Sequence, residues 1–290
     1  MRIGIIGGGR VGSCLAGYFA DAGLLAGITA GSAEHSAQLA ERYGLPVMSN
    51  LELWRAADVL LVAVPDRLVA VVATALVAKA EPAPKVVLHV SGSLGLEPLE
   101  PLQALGAHVG SLHPLQSFAG GKTQLSGVYM ALDGDETAQA IAKELVQLLG
   151  GHAFSVPAEE RAAYHAAACI CSNYAVTVQA LAQQLMARWT GDRESAWKAL
   201  LPLFEGTSAN LRCAANPQTV LTGPIARGDI QTVARHLDVL PPKLQDVYCS
   251  LGLATTQLAE ENGTIDSSTA HALRCLLGEK HYETSHCSDH

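Results

Sequence analysis

Gly7-Gly8-Gly9-Arg10-Val11-Gly12 sets three glycines in the order G-x-G-x-x-G, after the apolar run that ends at Ile6 and ahead of a helical stretch. A pyrophosphate site makes those demands. The first glycine turns tightly, the second lets the backbone approach the anion, and the third lets the helix lie close on the sheet. The helix N-terminus then offers unpaired N–H groups. Gly7, Gly9, Arg10, Val11 and Gly12 are therefore expected to hold a dinucleotide, the alternative being a glycine-rich structural turn. A P-loop is excluded, because no Gly-Lys-Ser/Thr follows. Roughly 20 residues on, where an NAD site places an acid on the ribose 2′-hydroxyl, the chain reads Ala30-Gly31-Ser32. Ser32 can donate to a 2′-phosphate, with Arg10, His35 or Arg42 as cationic partners. NADP(H) is the expected cofactor; Glu34, one small register shift away, is the rival that would favour NAD.

The proton-handling candidates lie farther along. Val62–Asp66 and His89–Ser93 end two expected strands, where open α/β sheets collect ligands, so Val64, Pro65 and Ser91 are expected beside the cofactor. Asp66 either caps the next helix or contacts a ligand. His113 precedes Pro114, which biases its backbone to an extended loop conformation. His165, Cys169 and Asn173 are spaced four apart, on one face of a long helix. A histidine titrates near neutrality, so His165 or His113 can protonate the oxygen or nitrogen that gains charge when hydride arrives. The plainer alternatives are a hydrogen-bonded core histidine for His165 and a loop-orienting one for His113. Gln116 and Ser117 fit substrate contacts and turn chemistry equally. Arg227 fits a bidentate carboxylate grip or an ion pair between domains or subunits, and Asp229 a helix cap. HExxH, zinc-type cysteine pairs and GxSxG are all lacking, and no metal site is expected. His281, His286, Cys287 and His290 lie in a polar stretch with nothing to fix a ligand geometry.

Elements that would position these groups alternate in the first half. Strands are expected at Arg2–Ile6, Leu25–Ala30, Asp58–Val64, Lys85–Val90, Val128–Leu132 and His152–Val156. Helices are expected at Val11–Ala22, Ala33–Tyr43 and Glu136–Leu149. This is the pattern of βα units and a mostly parallel sheet. After Pro157 only helices are expected: Glu159–Arg188, then near Arg193–Glu205, Asp229–Val239 and Pro241–Glu261. The fold class is thus a Rossmann-type α/β domain over 1–157 and an all-α domain over 158–278, with a cleft between them. A flexible tail, 279–290, would follow.

Composition narrows the class. The 290 residues are 49% hydrophobic and only 16% charged, which excludes a disordered chain. With 19 Lys+Arg against 27 Asp+Glu, the net charge of −8 argues against a nucleic-acid partner, which needs a basic face. Ala162–Leu185 is interrupted by His165, Asn173 and three glutamines, so it reads as a buried helix and not a membrane span. Seven cysteines without a CxxC pair fit the reduced cytoplasm. The small-residue helix around Ala162–Ala182 also offers a face for a homodimer through the helical domain.

Ser111–Phe118, His89-Val90-Ser91-Gly92, Tyr164–Ala168 and Leu221–Asp229 together resemble the family of Rossmann-like proteins with a DUF2520 C-terminal domain, over about residues 1 to 277. More distantly, the layout is similar to ketopantoate reductase, pyrroline-5-carboxylate reductase and the 6-phosphogluconate dehydrogenase type. The resemblance implies an NADP-dependent oxidoreductase. It also implies a departure, since those β-hydroxyacid dehydrogenases place a Lys and, four residues on, an Asn against the substrate. Here His165 stands at the Lys position and Cys169 at the Asn position, with Asn173 a turn later. The expected activity is hydride transfer from NADPH to a small carbonyl compound, a 2-oxo acid of ketopantoate type, with His165 or His113 as acid and Asn173 as positioning group. An imine reductase and a noncatalytic NADP sensor are the alternatives.

Overall fold

In the computed structural model, which describes residues 1–121 and 123–278, Ile3–Ile6 (β1), Val59–Val62 (β3) and Val86–His89 (β4) are buried at every position. A strand without a polar alternation must be covered on both faces, and the two cores lie there. Ile3, Ile5, Val59 and Leu61 enter one cluster with helix Arg10–Asp21 (α1) and helix Glu136–Leu148 (α5). Ile6, Leu60 and Val62 enter the other. Alternate residues of one strand thus feed opposite cores, as the two-residue period of a strand requires.

Completing the sheet are Leu25–Thr29 (β2), His108–Pro114 (β5), Tyr129–Gly134 (β6) and His152–Ser155 (β7), in the order β2-β1-β3-β4-β5-β6-β7. Only β5 and β6 pair antiparallel. Helices Ala33–Tyr43 (α2) and Asn50–Ala56 (α3) follow β2 in the chain, and Asp66–Val77 (α4) connects β3 to β4. Helix α3, with its Ser49–Glu52 capping box, adds to the elements expected from sequence. His113 belongs to β5 itself and not to a loop after it; the residue before a proline is biased to extended backbone, and β5 uses that bias by ending on Pro114.

Two compact units divide the chain, Met1–Ala175 and a second beginning at Val176. The first therefore runs past Pro157 and takes in helix Arg161–Cys169 (α6), whose Arg161 is 1% exposed and bonded to the sheet. Beyond α6, the long expected helix is not uniform. Ile170–Tyr174 is π-helical, and an α-helix resumes at Ala175–Thr190 (α7).

The second unit is helical: Arg193–Cys213 (α8), Ile230–Val239 (α9), Pro242–Glu261 (α10) and Ser267–Leu276 (α11). Its core joins Val233, Ala259, Ala270 and Leu273. The expectation of a buried helix over Ala162–Leu185 fails, because α7 carries no buried residue. Val178, Leu181, Ala182, Leu185 and Trp189 instead form an apolar stripe at helical spacing that lines an open cavity of about 430 Å³ with Val239, Leu240, Leu244 and Leu251. No helix among the described residues is long and apolar enough to cross a membrane. The expected tail, with His281, His286, Cys287 and His290, lies outside the described residues.

Candidate active site

Each glycine of the loop has a distinct reason to be one. Gly7 adopts φ +119°, and a Cβ there would fall on the Ala63 carbonyl at the end of β3. A Cβ at Gly12 would fall on the Gly7 carbonyl. Above Gly9, by contrast, nothing lies within 4 Å. Gly7 and Gly12 thus serve the fold, and Gly9 leaves a bare stretch of backbone. Gly9 is also the N-cap of α1 and brings no capping side chain. The first intrahelical bond runs from Ser13 N to Gly9 O, so the N–H groups of Arg10, Val11 and Gly12 precede it. This cradle fits a pyrophosphate.

Ser32 is the N-cap of α2, its Oγ accepting from His35 N at 3.2 Å. As an acceptor it keeps a hydroxyl hydrogen to donate. Arg10 and Arg42 line one cleft of about 620 Å³ with Gly9, Ser13 and Tyr43, so two of the three expected cations share a space with the loop. His35 packs near Gly8. Glu34 is exposed in the first turn of α2.

At the carboxyl ends of β3, β4 and β5 a second set of groups converges. Asp66 is the first residue of α4, while Pro65 takes the cap position, so Asp66 is not the cap. Its carboxylate accepts instead from Ser93 Oγ at 2.7 Å. Ser91 Oγ lies 3.3 Å from Ser93 Oγ and accepts from the N–H groups of Ser93 and Leu94. Since the Ser93 hydrogen is committed to Asp66, the chain of donation runs Ser91 to Ser93 to Asp66. The Ser91 hydroxyl is thereby turned into its own loop. Val64 and Pro65 carry the chain from β3 into α4.

Strand register aligns a polar row across the sheet. His89 of β4 stands opposite Ser111 of β5, and Ser111 opposite Asp133 of β6. Arg161 covers this row. It donates to Ser111 Oγ, to Asp133 Oδ2 at 3.4 Å and to the Ser91 carbonyl at 3.4 Å. His89 accepts at Nδ1 from Ser91 N (3.2 Å), so its Nε2–H donates to Gly95 O (2.9 Å) and the ring is neutral. Burial, with the Arg161 charge adding to it, holds His89 down to about 4.

Two residues beyond Ser111 on the same face of β5, His113 places Nδ1 at 2.6 Å from the Tyr164 hydroxyl. Burial and then His165 hold His113 down to about 4, and burial pushes the Tyr164 phenol up to about 12. The His113 and His165 rings meet edge to face at 6.2 Å. Both seat on Gly92. A Cβ there would lie 2.8 Å from His113 Nε2 and 2.9 Å from His165 Nδ1. His165 Nδ1 is buried and has no hydrogen-bond partner.

Of the residues expected from sequence, His113, His165 and Ser91 come together in this cluster. Asn173 lies in the π-helical stretch. In a continuous α-helix a residue eight positions on has rotated by roughly 80°; the wider i→i+5 turns rotate less per residue and carry Asn173 back toward the line of His165. Gln116 spends its Oε1 on Ser117 N at 2.8 Å, and Asp229 caps α9 through Thr232 N at 3.0 Å. Arg227 belongs to the second unit, in a single turn of 3-10 helix. Tyr164, His89 and Ser111 enter the sequence reading only as members of the motifs that carry the resemblance, without a role, and Arg161 and Asp133 do not enter it.

Residues 1–114 match the Rossmann-like domain, and residues 128–255 match the domain of unknown function DUF2520. No curated protein matches the chain. Among solved structures, a Bacteroides fragilis protein described as a candidate NADP oxidoreductase is similar at a TM-score of 0.73 and 21% identity, over 89% of this chain and 98% of that one. Protein TM1727 from Thermotoga maritima is similar at 0.71 and 25% identity, over 90% and 99%. The 1-pyrroline-5-carboxylate reductase of Streptococcus pyogenes is similar at 0.58 and 17% identity, over 95% and 98%. With both domain matches in the order that the resemblance implies, the chain is a Rossmann-like and DUF2520 domain-containing protein.

Proposed function

We propose that the protein is an NADP(H)-dependent oxidoreductase that reduces a small carbonyl compound of the 2-oxo acid class. One observation carries this reading: on the carboxyl edge of a single sheet, a glycine cradle with open space over Gly9 accompanies a cluster of proton-bearing side chains. Gly7, Gly9, Arg10, Val11 and Gly12 would hold the pyrophosphate. Ser32 with Arg10 and Arg42 would select the 2′-phosphate. When bound, the reduced nicotinamide supplies the hydride, and the protein has to bind, orient and furnish one proton. His113 or His165 would furnish that proton, with Asn173 as positioning group. Similarity to a pyrroline-carboxylate reductase favours a C=N substrate as the second reading, and a protein that binds NADPH without turnover would be a sensor.

The exposed apolar residues of α7 and α8, among them Val176, Trp189 and Leu203, support a homodimer through the helical unit. A monomeric mass by light scattering at micromolar concentration would refute it.

Titrating NADPH and NADH in parallel, then following NADPH consumption with a panel of 2-oxo acids and cyclic imines, tests the reading. Tighter NADPH binding and saturable turnover are expected. Ser32→Asp should weaken NADPH. Equal or tighter NADH binding, or an NADPH affinity indifferent to Ser32→Asp, would sink the cofactor assignment. Binding with no turnover across the panel would favour the sensor.

A further inference from the structure

Nδ1 of His113 meets the Tyr164 hydroxyl at 2.6 Å, and the two rings stand edge to face with centroids 5.5 Å apart. Phe154 also meets the phenol ring, 5.8 Å away and again edge on. Tyr164 is thus held by two strand residues while its ring stays half-buried. We propose that Tyr164 is the catalytic residue that hands the proton to the substrate heteroatom, with His113 as the positioning residue that orients and recharges it. This deepens the reductase reading and rests on it.

Neutral His113 has one proton for two nitrogens. One nitrogen is bonded to Tyr164, and the other, with His165 Nδ1, is turned against Gly92. Tyr164 keeps its proton throughout the neutral range, because burial outweighs the opposing influence of Arg161. An alkoxide is more basic than a phenolate, so a proton passes downhill from Tyr164 to it, and Tyr164 carries that proton throughout the neutral range, whereas a His113 imidazolium exists only under acidic conditions. Arg161, His165, His89 and Asp66 are the other charged or titratable groups that act on His113.

The step balances as follows. Hydride addition at the substrate carbon moves the C=O π pair onto oxygen. A new O–H bond forms there as the Tyr164 O–H bond breaks, leaving a phenolate. His113 then gives its Nδ1 proton to the phenolate while Nε2 takes one from solvent. For a C=N substrate the same sequence ends on nitrogen. The relay requires that Nδ1–H donate to Tyr164 Oη and not the reverse.

Nitrogen-15 NMR of histidine-labelled protein, with His113→Asn identifying the resonance, tests that requirement without a substrate. A proton on Nδ1 is expected, along with a changed Nδ1 shift in Tyr164→Phe; an unprotonated Nδ1 overturns the proposal. In a second arm, NADPH binding and single-turnover oxidation are measured with ketopantoate and 1-pyrroline-5-carboxylate as probes. Tyr164→Phe should bind NADPH as wild type does and lose on the order of 10²–10⁴-fold in turnover. His113→Asn keeps an N–H near the Nδ1 position and should retain more turnover than His113→Leu. A Tyr164→Phe rate within about threefold of wild type, far short of that range, overturns the proposal, and equal losses in the two His113 variants overturn the positioning role. Wild-type protein that fails to bind NADPH refutes the reductase reading itself, a result separate from the tautomer.

Discussion

Removing Arg161 should unsettle the sheet unit. The guanidinium is 1% exposed and holds three partners: the fully buried Ser111 hydroxyl, the Asp133 carboxylate and the Ser91 carbonyl. Breaking a buried ion pair from one side costs about 3–5 kcal/mol, because the remaining charge is left uncompensated. Asp133 is 20% exposed and keeps the Gly134 N–H on its other oxygen, which places Arg161→Met near the lower end. Ser111 has no such relief, and an orphaned buried hydroxyl accounts for about 1–3 kcal/mol of the total. In a unit of this length, about 3 kcal/mol corresponds to a drop of roughly 6–12 °C in melting temperature by calorimetry. Replacing the whole set, as Arg161→Met with Asp133→Leu and Ser111→Ala, should recover most of the loss, since an apolar substitute of similar volume restores what one missing partner does not. A single variant melting within about 2 °C of wild type, or a triple variant as unstable as the single, would refute this account. The same substitution should raise the His113 titration midpoint, one of the influences that lower it being the Arg161 charge.

Gly9→Ala and Gly12→Ala should part company: the first meets open space and should weaken NADPH with little change in melting temperature, while the second meets the Gly7 carbonyl and should destabilise the fold. Overlapping contacts forced into a packed site cost about 1–3 kcal/mol; equal melting temperatures for the two variants would refute the division of labour. Stability should fall as pH drops from 6.5 to about 4 and lose nothing further from these groups below that, because the unfolded imidazoles of His89 and His113 bind protons in this window and the folded ones do not. Urea titrations across the range should show the slope, less steep in His113→Asn. Gly92→Ala should push the His113 and His165 rings apart, a Cβ there lying within 2.9 Å of both; loss of turnover with retained NADPH binding is expected, and an unchanged rate would show that the rings do not depend on that contact.

The glycine spacing, the apolar runs of β1, β3 and β4, and the change to helices were all legible in the chain, since each depends on neighbours a few residues apart. The glycine loop is the extreme case, a local turn whose chemistry is written in its own residues. The proton-handling cluster is of another kind. His89, Ser111 and Asp133 form a row only because two strand registers bring them level, and nothing within any one strand encodes the register of its partner. Tyr164 and His165 are neighbours on a helix and so point about 100° apart; both rings meet His113, but which one bonds to it depends on how the helix is rotated against the sheet, and Arg161 holds the helix to the sheet from one turn away. The π-helical stretch that realigns Asn173 likewise has no signature in residue type. Local sequence determined the strands, the helices and the anion cradle; tertiary packing alone decided which polar groups share a proton, because that choice rests on registers and rotations between elements distant in the chain.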